Sequence, residues 1–187
     1  MDNSINNASK HYKRLRVYIA GPLFSKAELD FNIMLKKLLN PFFDIYLPQE
    51  DGGLISEMVQ NGMDLKIAVN RVFLEDISAI KRCDLLLIVL DGRSIDEGAA
   101  FELGFAYAYG KICFGIQTDT RRLFGDQNNP MIDCPIIYTF KNVEDLVDWA
   151  SNLILENPSL TDVADSLLSK ANQQNQIDIG INSDIFH

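Results

Sequence analysis

The chain predicts a doubly wound α/β fold, a mostly parallel five-stranded sheet with helices on both faces. Three observations carry this. From residue 16 to about 155, short apolar runs of strand length alternate with longer stretches of helical period. One run, CDLLLIVLDG (83–92), is apolar without interruption, as a central parallel strand covered on both faces requires. And 47% of the 187 residues are hydrophobic, enough for one domain with a substantial core.

The elements follow in order. RVYIAGP (16–22) reads as a buried strand closed by a Gly-Pro turn. Ser25, with Glu28 three residues on, has the spacing of a capping box and starts a helix over 26–39. Phe31, Met34, Leu35 and Leu38 recur along it at helical spacing, and Pro41 ends it. DIYLPQ (44–49) is a second short strand, and EDGGLISEMVQNG (50–62) is expected to be a loop. Residues 64–81 return to helical period, and the long apolar strand comes next. A helix is expected over 97–109, a strand at KICFGIQ (111–117), a polar loop to Pro130 and a last strand at PIIYTF (135–140). Asn142 caps a helix over 143–155, which Pro158 breaks. The order βαβαβαβ(β)α is that of flavodoxin-like and Rossmann-like sheets. The division expected is a flexible N-terminus (1–15), one α/β domain (16–157) and a tail (158–187). In the tail a short helix (160–172) precedes a Gln/Asn-rich stretch that is extended, disordered or docked on a neighbouring subunit.

Charge narrows the function. A net charge of −9 argues against a binder of nucleic-acid backbones and favours a small neutral ligand. The three cysteines (Cys83, Cys113, Cys134) contain no CxxC, and the only histidines, His11 and His187, stand near the chain ends. No cluster suits a metal, and no cofactor is expected. The first sixteen residues lack an apolar segment of signal-peptide type, and the longest apolar run, LLLIVL (85–90), is too short for a bilayer. A cytoplasmic protein without membrane contact is expected.

Open parallel sheets bind ligands beyond the carboxyl ends of their strands. Three segments belong there: AGPLFS (20–25), DGRSIDEGAAFE (91–102) and the 117–133 loop. Asp96 is placed to cap the following helix, a role compatible with ligand contact. Glu102 sits one to two turns later among Ala99, Ala100, Phe101, Leu103, Gly104 and Phe105. Glutamate ordinarily occupies a solvated helix face, but apolar flanks on both sides favour a partnered or working carboxylate. Tyr18, on the first strand, is either a core tyrosine or a phenol reaching such a carboxylate.

The stretches YIAGPLFS (18–25) and DEGAAFELG (96–104) resemble the signatures of the nucleoside 2-deoxyribosyltransferases, and the resemblance spans about residues 16–150. It implies that Glu102 is the nucleophile at the anomeric carbon of a 2′-deoxynucleoside. It implies further that Asp96 contacts the base, Asp76 transfers a proton to it and Tyr18 orients the nucleophile. Gly21 and Phe24 of the first signature and Gln49 of LPQEDGG would contact substrate. Asn129 and Met131, in the N-x-M pattern, would be offered to the sugar across a subunit interface. A homo-oligomer follows, a dimer or a hexamer built as a trimer of dimers. The aromatic helix FELGFAYAY (101–109), apolar on more than one face, suits the same expectation. The implied partners are 2′-deoxynucleosides and free nucleobases, with no metal or cofactor. Two alternatives remain open. One is a hydrolase of N-glycosides, either 2′-deoxynucleosides or nucleoside 5′-monophosphates, using the same nucleophile, with Ser25, Arg93 and Ser94 as phosphate holders. The other is a non-catalytic nucleotide-sensing domain.

Overall fold

The computed structural model describes residues 14–119, 128–154 and 158–184. The expected flexible N-terminus falls, up to residue 13, outside the described residues, as do 120–127 of the polar loop and the last three residues of the tail.

Five parallel strands form one sheet: β1 (Arg16–Ala20), β2 (Asp44–Tyr46), β3 (Leu85–Val89), β4 (Ile112–Ile116) and β5 (Ile136–Phe140). Their spatial order is β2-β1-β3-β4-β5, the flavodoxin-like order. Side chains alternate between the two faces of a strand, so both faces of the central strands must be apolar. Val17, Ile19, Leu85, Leu87 and Val89 pack on one face with α1 (Lys26–Leu39), α7 (Val143–Ile154) and α8 (Leu160–Asp184). Tyr18, Ala20, Leu86, Ile88 and Leu90 pack on the other with α4 (Leu65–Arg82), α5 (Glu97–Ala108) and the one-turn α6 (Pro130–Asp133). All five residues of β3 are buried, which explains its unbroken apolar run.

The capping box at the start of α1 is formed as expected. Ser25 accepts from the Glu28 amide, and the Glu28 carboxylate accepts from the Ser25 amide. Asn142 likewise accepts from the Asp145 amide at 2.7 Å ahead of α7.

Two expectations are corrected. The end of the strand expected over 44–49 and the segment read as a loop (50–62) contain two short helices, α2 (Pro48–Asp51) and α3 (Ile55–Gln60), so the strand stops at Tyr46. Pro48 at the first helical position pre-sets φ, and the paired glycines at 52–53 separate the two helices instead of dissolving both. The helix expected over 160–172 runs on to Asp184. Its first turns are anchored because Val163 and Leu167 are fully buried beside Trp149 and Phe140. Nothing in the polar sequence after 172 breaks it: its lone glycine, Gly180, lowers helix propensity by only about 1 kcal/mol.

Candidate active site

The strand order reverses between β1 and β3. The chain leaves β1 toward α1 on one face, and enters α5 after β3 on the other. The crevice between the two exits is where a ligand is expected in such a sheet. Gly21 lines the close approach of the two exits: an added Cβ there would lie 3.1 Å from the Val89 Cβ and 3.3 Å from Asn32 Oδ1. What favours glycine at this point is space rather than backbone conformation, since a side chain would crowd Val89 and Asn32.

Tyr18 is fully buried on the face covered by α4 and α5. A buried phenol must donate its proton to something. It donates to Glu102 Oε1 at 2.5 Å. Glu102 comes from the second turn of α5, at the edge of the stripe Ala99, Leu103 and Ala106 that faces the sheet. The two alanines let the helix lie close. A Cβ at Gly98 would lie 3.1 Å from Asp96 Oδ1, so glycine keeps the start of the helix clear beside that carboxylate.

A second pair lies alongside. The register of β1 and β2 places Tyr46 directly opposite Tyr18. Their rings stack, with centroids 5.4 Å apart and planes 17° from parallel. The Tyr46 hydroxyl donates to Asp76 Oδ1 at 3.4 Å. Asp76 comes from α4, so two adjacent tyrosines serve two carboxylates supplied by two helices. Asp96 is the N-cap of α5 and accepts from the Ala99 amide at 2.8 Å.

Crowding carboxyl groups out of water changes their protonation. Burial pushes Glu102 up to about 8; the Tyr18 hydrogen bond opposes this, and the charges of Asp76 and Asp96 add to it. Burial pushes Asp76 up to about 6, against the Tyr46 hydrogen bond and with a contribution from Glu75. Both phenols are driven well above their ordinary value, first by burial and then by the neighbouring carboxylates, so they serve only as donors. Near neutrality the two carboxyls therefore hold about one proton between them.

The Gln49 amide is bonded at both ends: Nε2 donates to the Leu29 carbonyl at 3.0 Å and Oε1 accepts from Asn32 Nδ2 at 3.2 Å. Asn32 Nδ2 also donates to the Pro22 carbonyl, so the buried Asn32 ties the loop after β1 to Gln49 at the start of α2. Phe24 is 83% exposed beside the mouth. Asn129 caps α6, accepting from the Met131 amide at 3.0 Å, and both residues are exposed. Sequence reasoning missed Tyr46 and Asn32. The clue for Tyr46 was a tyrosine in each of two strands, but their pairing was not visible. Asn32 looked like one polar position on an amphipathic helix.

The chain is thus a parallel α/β protein with two tyrosine–carboxylate pairs beside the switch point of its sheet. The family model described as nucleoside 2-deoxyribosyltransferase matches residues 17–161. The chain belongs to that family, whose members are enzymes acting on nucleosides. Among solved structures it is similar to a 2-deoxyribosyltransferase from Bacillus psychrosaccharolyticus, with 23% identity and a TM-score of 0.58, over 71% of this chain and 90% of that one. It is also similar to a conserved protein from Enterococcus faecalis V583, with 27% identity and a TM-score of 0.50, over 84% and 99% of the two chains. A CMP N-glycosidase from Clostridium botulinum aligns at 17% identity and a TM-score of 0.46, over 73% and 98%. No curated protein sequence matches the chain. Among the described residues no helix is long and apolar enough to cross a membrane.

Proposed function

We propose that the protein transfers 2-deoxyribose between nucleobases through a covalent deoxyribosyl intermediate on Glu102, as a step in reuse of bases and nucleosides in the cytoplasm. The observation that carries the reading is the 2.5 Å bond from the buried Tyr18 hydroxyl to Glu102 Oε1. A solvated structural glutamate has no need of such a partner, whereas a nucleophile gains a fixed orientation and a stabilised ionised form from it.

In the first half-reaction the Glu102 carboxylate bonds to C1′ as the N-glycosidic bond breaks. The bonding pair leaves with the base, and Asp76 supplies the proton the base needs. The oxocarbenium-like charge at C1′ is met by the incoming carboxylate. In the second half-reaction an incoming base attacks C1′, Glu102 departs as carboxylate and Asp76 recovers a proton. Two inversions leave the anomeric configuration unchanged. Asp96 stands beside Glu102 at the start of α5 to contact the substrate, and Gly21 and Phe24 border the crevice. Near neutrality the pair carries about one proton, which the higher value places on Glu102, so the cycle needs that proton moved to Asp76 or to the base as substrate binds.

The working form in this reading is a homo-oligomer in which Asn129 and Met131 of one subunit complete the site of the next. Support comes from the surface. Met131 is 78% exposed, and Phe73, Phe101, Tyr107 and Tyr109 of α4 and α5 are each about half exposed or more. An apolar face of this extent is what an interface between copies covers.

The test is incubation with 2′-deoxyinosine, with and without adenine, followed by chromatography. Appearance of 2′-deoxyadenosine only with adenine is the expected result. Equal release of hypoxanthine in both samples would make water the acceptor and the protein an N-glycoside hydrolase with the same nucleophile.

A further inference from the structure

Two tyrosines on neighbouring strands serve two carboxyls, and they do so unequally. Tyr18 is fully buried and reaches Glu102 Oε1 at 2.5 Å. Tyr46 is half-buried on the edge strand and reaches Asp76 Oδ1 at 3.4 Å. A tyrosine at a sheet edge ordinarily sends its hydroxyl to water, whereas this one turns it to a carboxyl. The stack of the two rings, centroids 5.4 Å apart, fixes one phenol against the other. Gly52, just past α2, borders the same Asp76 oxygen: an added Cβ there would lie 3.5 Å from Oδ1. Among the described residues Asp76 Oδ2 and Glu102 Oε2 accept no hydrogen bond, and neither is closed off from solvent. Each carboxyl is therefore held by one oxygen and bare at the other.

We infer that Tyr46 is a positioning residue of the reaction: it anchors Asp76 by Oδ1 so that Oδ2 is the oxygen that hands a proton to the departing base. The inference rests on the reading that Glu102 cleaves N-glycosidic bonds. As Glu102 Oε2 bonds to C1′, the pair of the breaking C–N bond stays with the base, and the proton on Asp76 Oδ2 passes to a ring nitrogen of that base. The inequality of the two phenol bonds suits the division of labour. A short bond favours the ionised form of the nucleophile, and a long one leaves the proton donor easier to protonate. The charges acting on the two pairs come from Glu75 of α4, itself bonded to Arg71, from Asp96 of α5, from Asp51 of α2 and from the two carboxyls themselves. Burial holds Asp76 up at about 6 and the Tyr46 bond draws it down, so removing the hydroxyl lets it rise.

The experiment uses the full chain as wild type, Tyr46→Phe, Asp76→Asn and the double variant. Phenylalanine keeps the ring that stacks on Tyr18 and removes only the hydroxyl. The substrates are 2′-deoxyinosine, whose base needs a proton to leave, and 7-methyl-2′-deoxyguanosine, whose base is already cationic and leaves without one. At each variant's own pH optimum, Tyr46→Phe is expected to lose about tenfold in kcat/KM on 2′-deoxyinosine and less than about threefold on the methylated nucleoside, a fraction of what a general acid contributes. The acid limb of the 2′-deoxyinosine profile moves to higher pH. In the Asp76→Asn background, removal of the Tyr46 hydroxyl costs little more, because its partner is already gone. A role confined to packing would lower both substrates alike and leave the acid limb in place. Equal losses on the two substrates, an unmoved acid limb or additive losses in the double variant overturn the inference while leaving glycosidic cleavage standing. Absence of cleavage of either substrate by the wild type refutes the underlying reading and the inference with it.

Discussion

At the scale of single residues the site is a problem in proton placement. Tyr18 has no access to water, and its proton goes to Glu102. That bond holds the Glu102 pKa down against burial, so Tyr18→Phe lets it rise further. The limb of the pH–rate profile on which the nucleophile ionises then moves to higher pH, and kcat at pH 7 falls about 10- to 100-fold. An unmoved limb would remove Tyr18 from the nucleophile's control. In the wild type, kcat/KM is expected to be bell-shaped, with limbs near 6 and 8 that belong to the Asp76–Glu102 pair. Below the lower limb both carboxyls are protonated and no nucleophile exists. Above the upper limb neither holds a proton for the departing base. Glu102→Ala should cost at least about 10³-fold in turnover while the fold survives, as circular dichroism would report.

At the scale of elements, Asp96 does two jobs that substitution can separate. Asparagine is as good an N-cap as aspartate, so Asp96→Asn should leave the melting temperature nearly unchanged. It removes a charge that raises Glu102, and it alters the group facing the substrate. A large loss of activity at constant stability is the expected outcome, and equal small effects on both would reduce Asp96 to a cap. Gly21→Ala tests the seam between β1 and β3. Its methyl group must displace Val89 or Asn32, which costs about 1–3 kcal/mol in a denaturant titration. A neutral result would mean that the seam yields.

At the scale of the whole molecule, the buried carboxyls of the proposed site also burden the fold. The Glu102 and Asp76 pKa values are raised from the ordinary 4.5 and 3.8 to about 8 and 6. The native state therefore binds more protons than the unfolded chain across this window. Stability is greatest below about pH 4 as far as these two groups decide, and their contribution is lost as pH rises toward 8. Glu102→Gln, which still accepts from Tyr18, should raise the melting temperature by a few degrees at pH 8 while abolishing transfer. A lower melting temperature at that pH would contradict the burial argument. Self-association belongs to this scale too. Phe101→Glu, on the exposed aromatic face, is expected to shift sedimentation toward the monomer, and the loss of activity should follow it.

The sequence by itself determined the parallel α/β architecture, the boundaries of the first helix and the identity of the carboxylate that needs a partner. Period, caps and buried strands are local, so Ser25–Glu28 and the run 85–90 could be read without neighbours. The apolar flanks of Glu102 marked it for the same reason. Only the tertiary structure decided which groups meet. Strand register set Tyr46 against Tyr18, helix placement brought Asp76 beside Tyr46, and the buried Asn32 amide bonded Gln49. Those outcomes depend on contacts between residues tens of positions apart, which no local spacing encodes. The two short helices after β2 and the length of α8 were also hidden, because polar, glycine-bearing segments become helical only where capping or a docked face stabilises them.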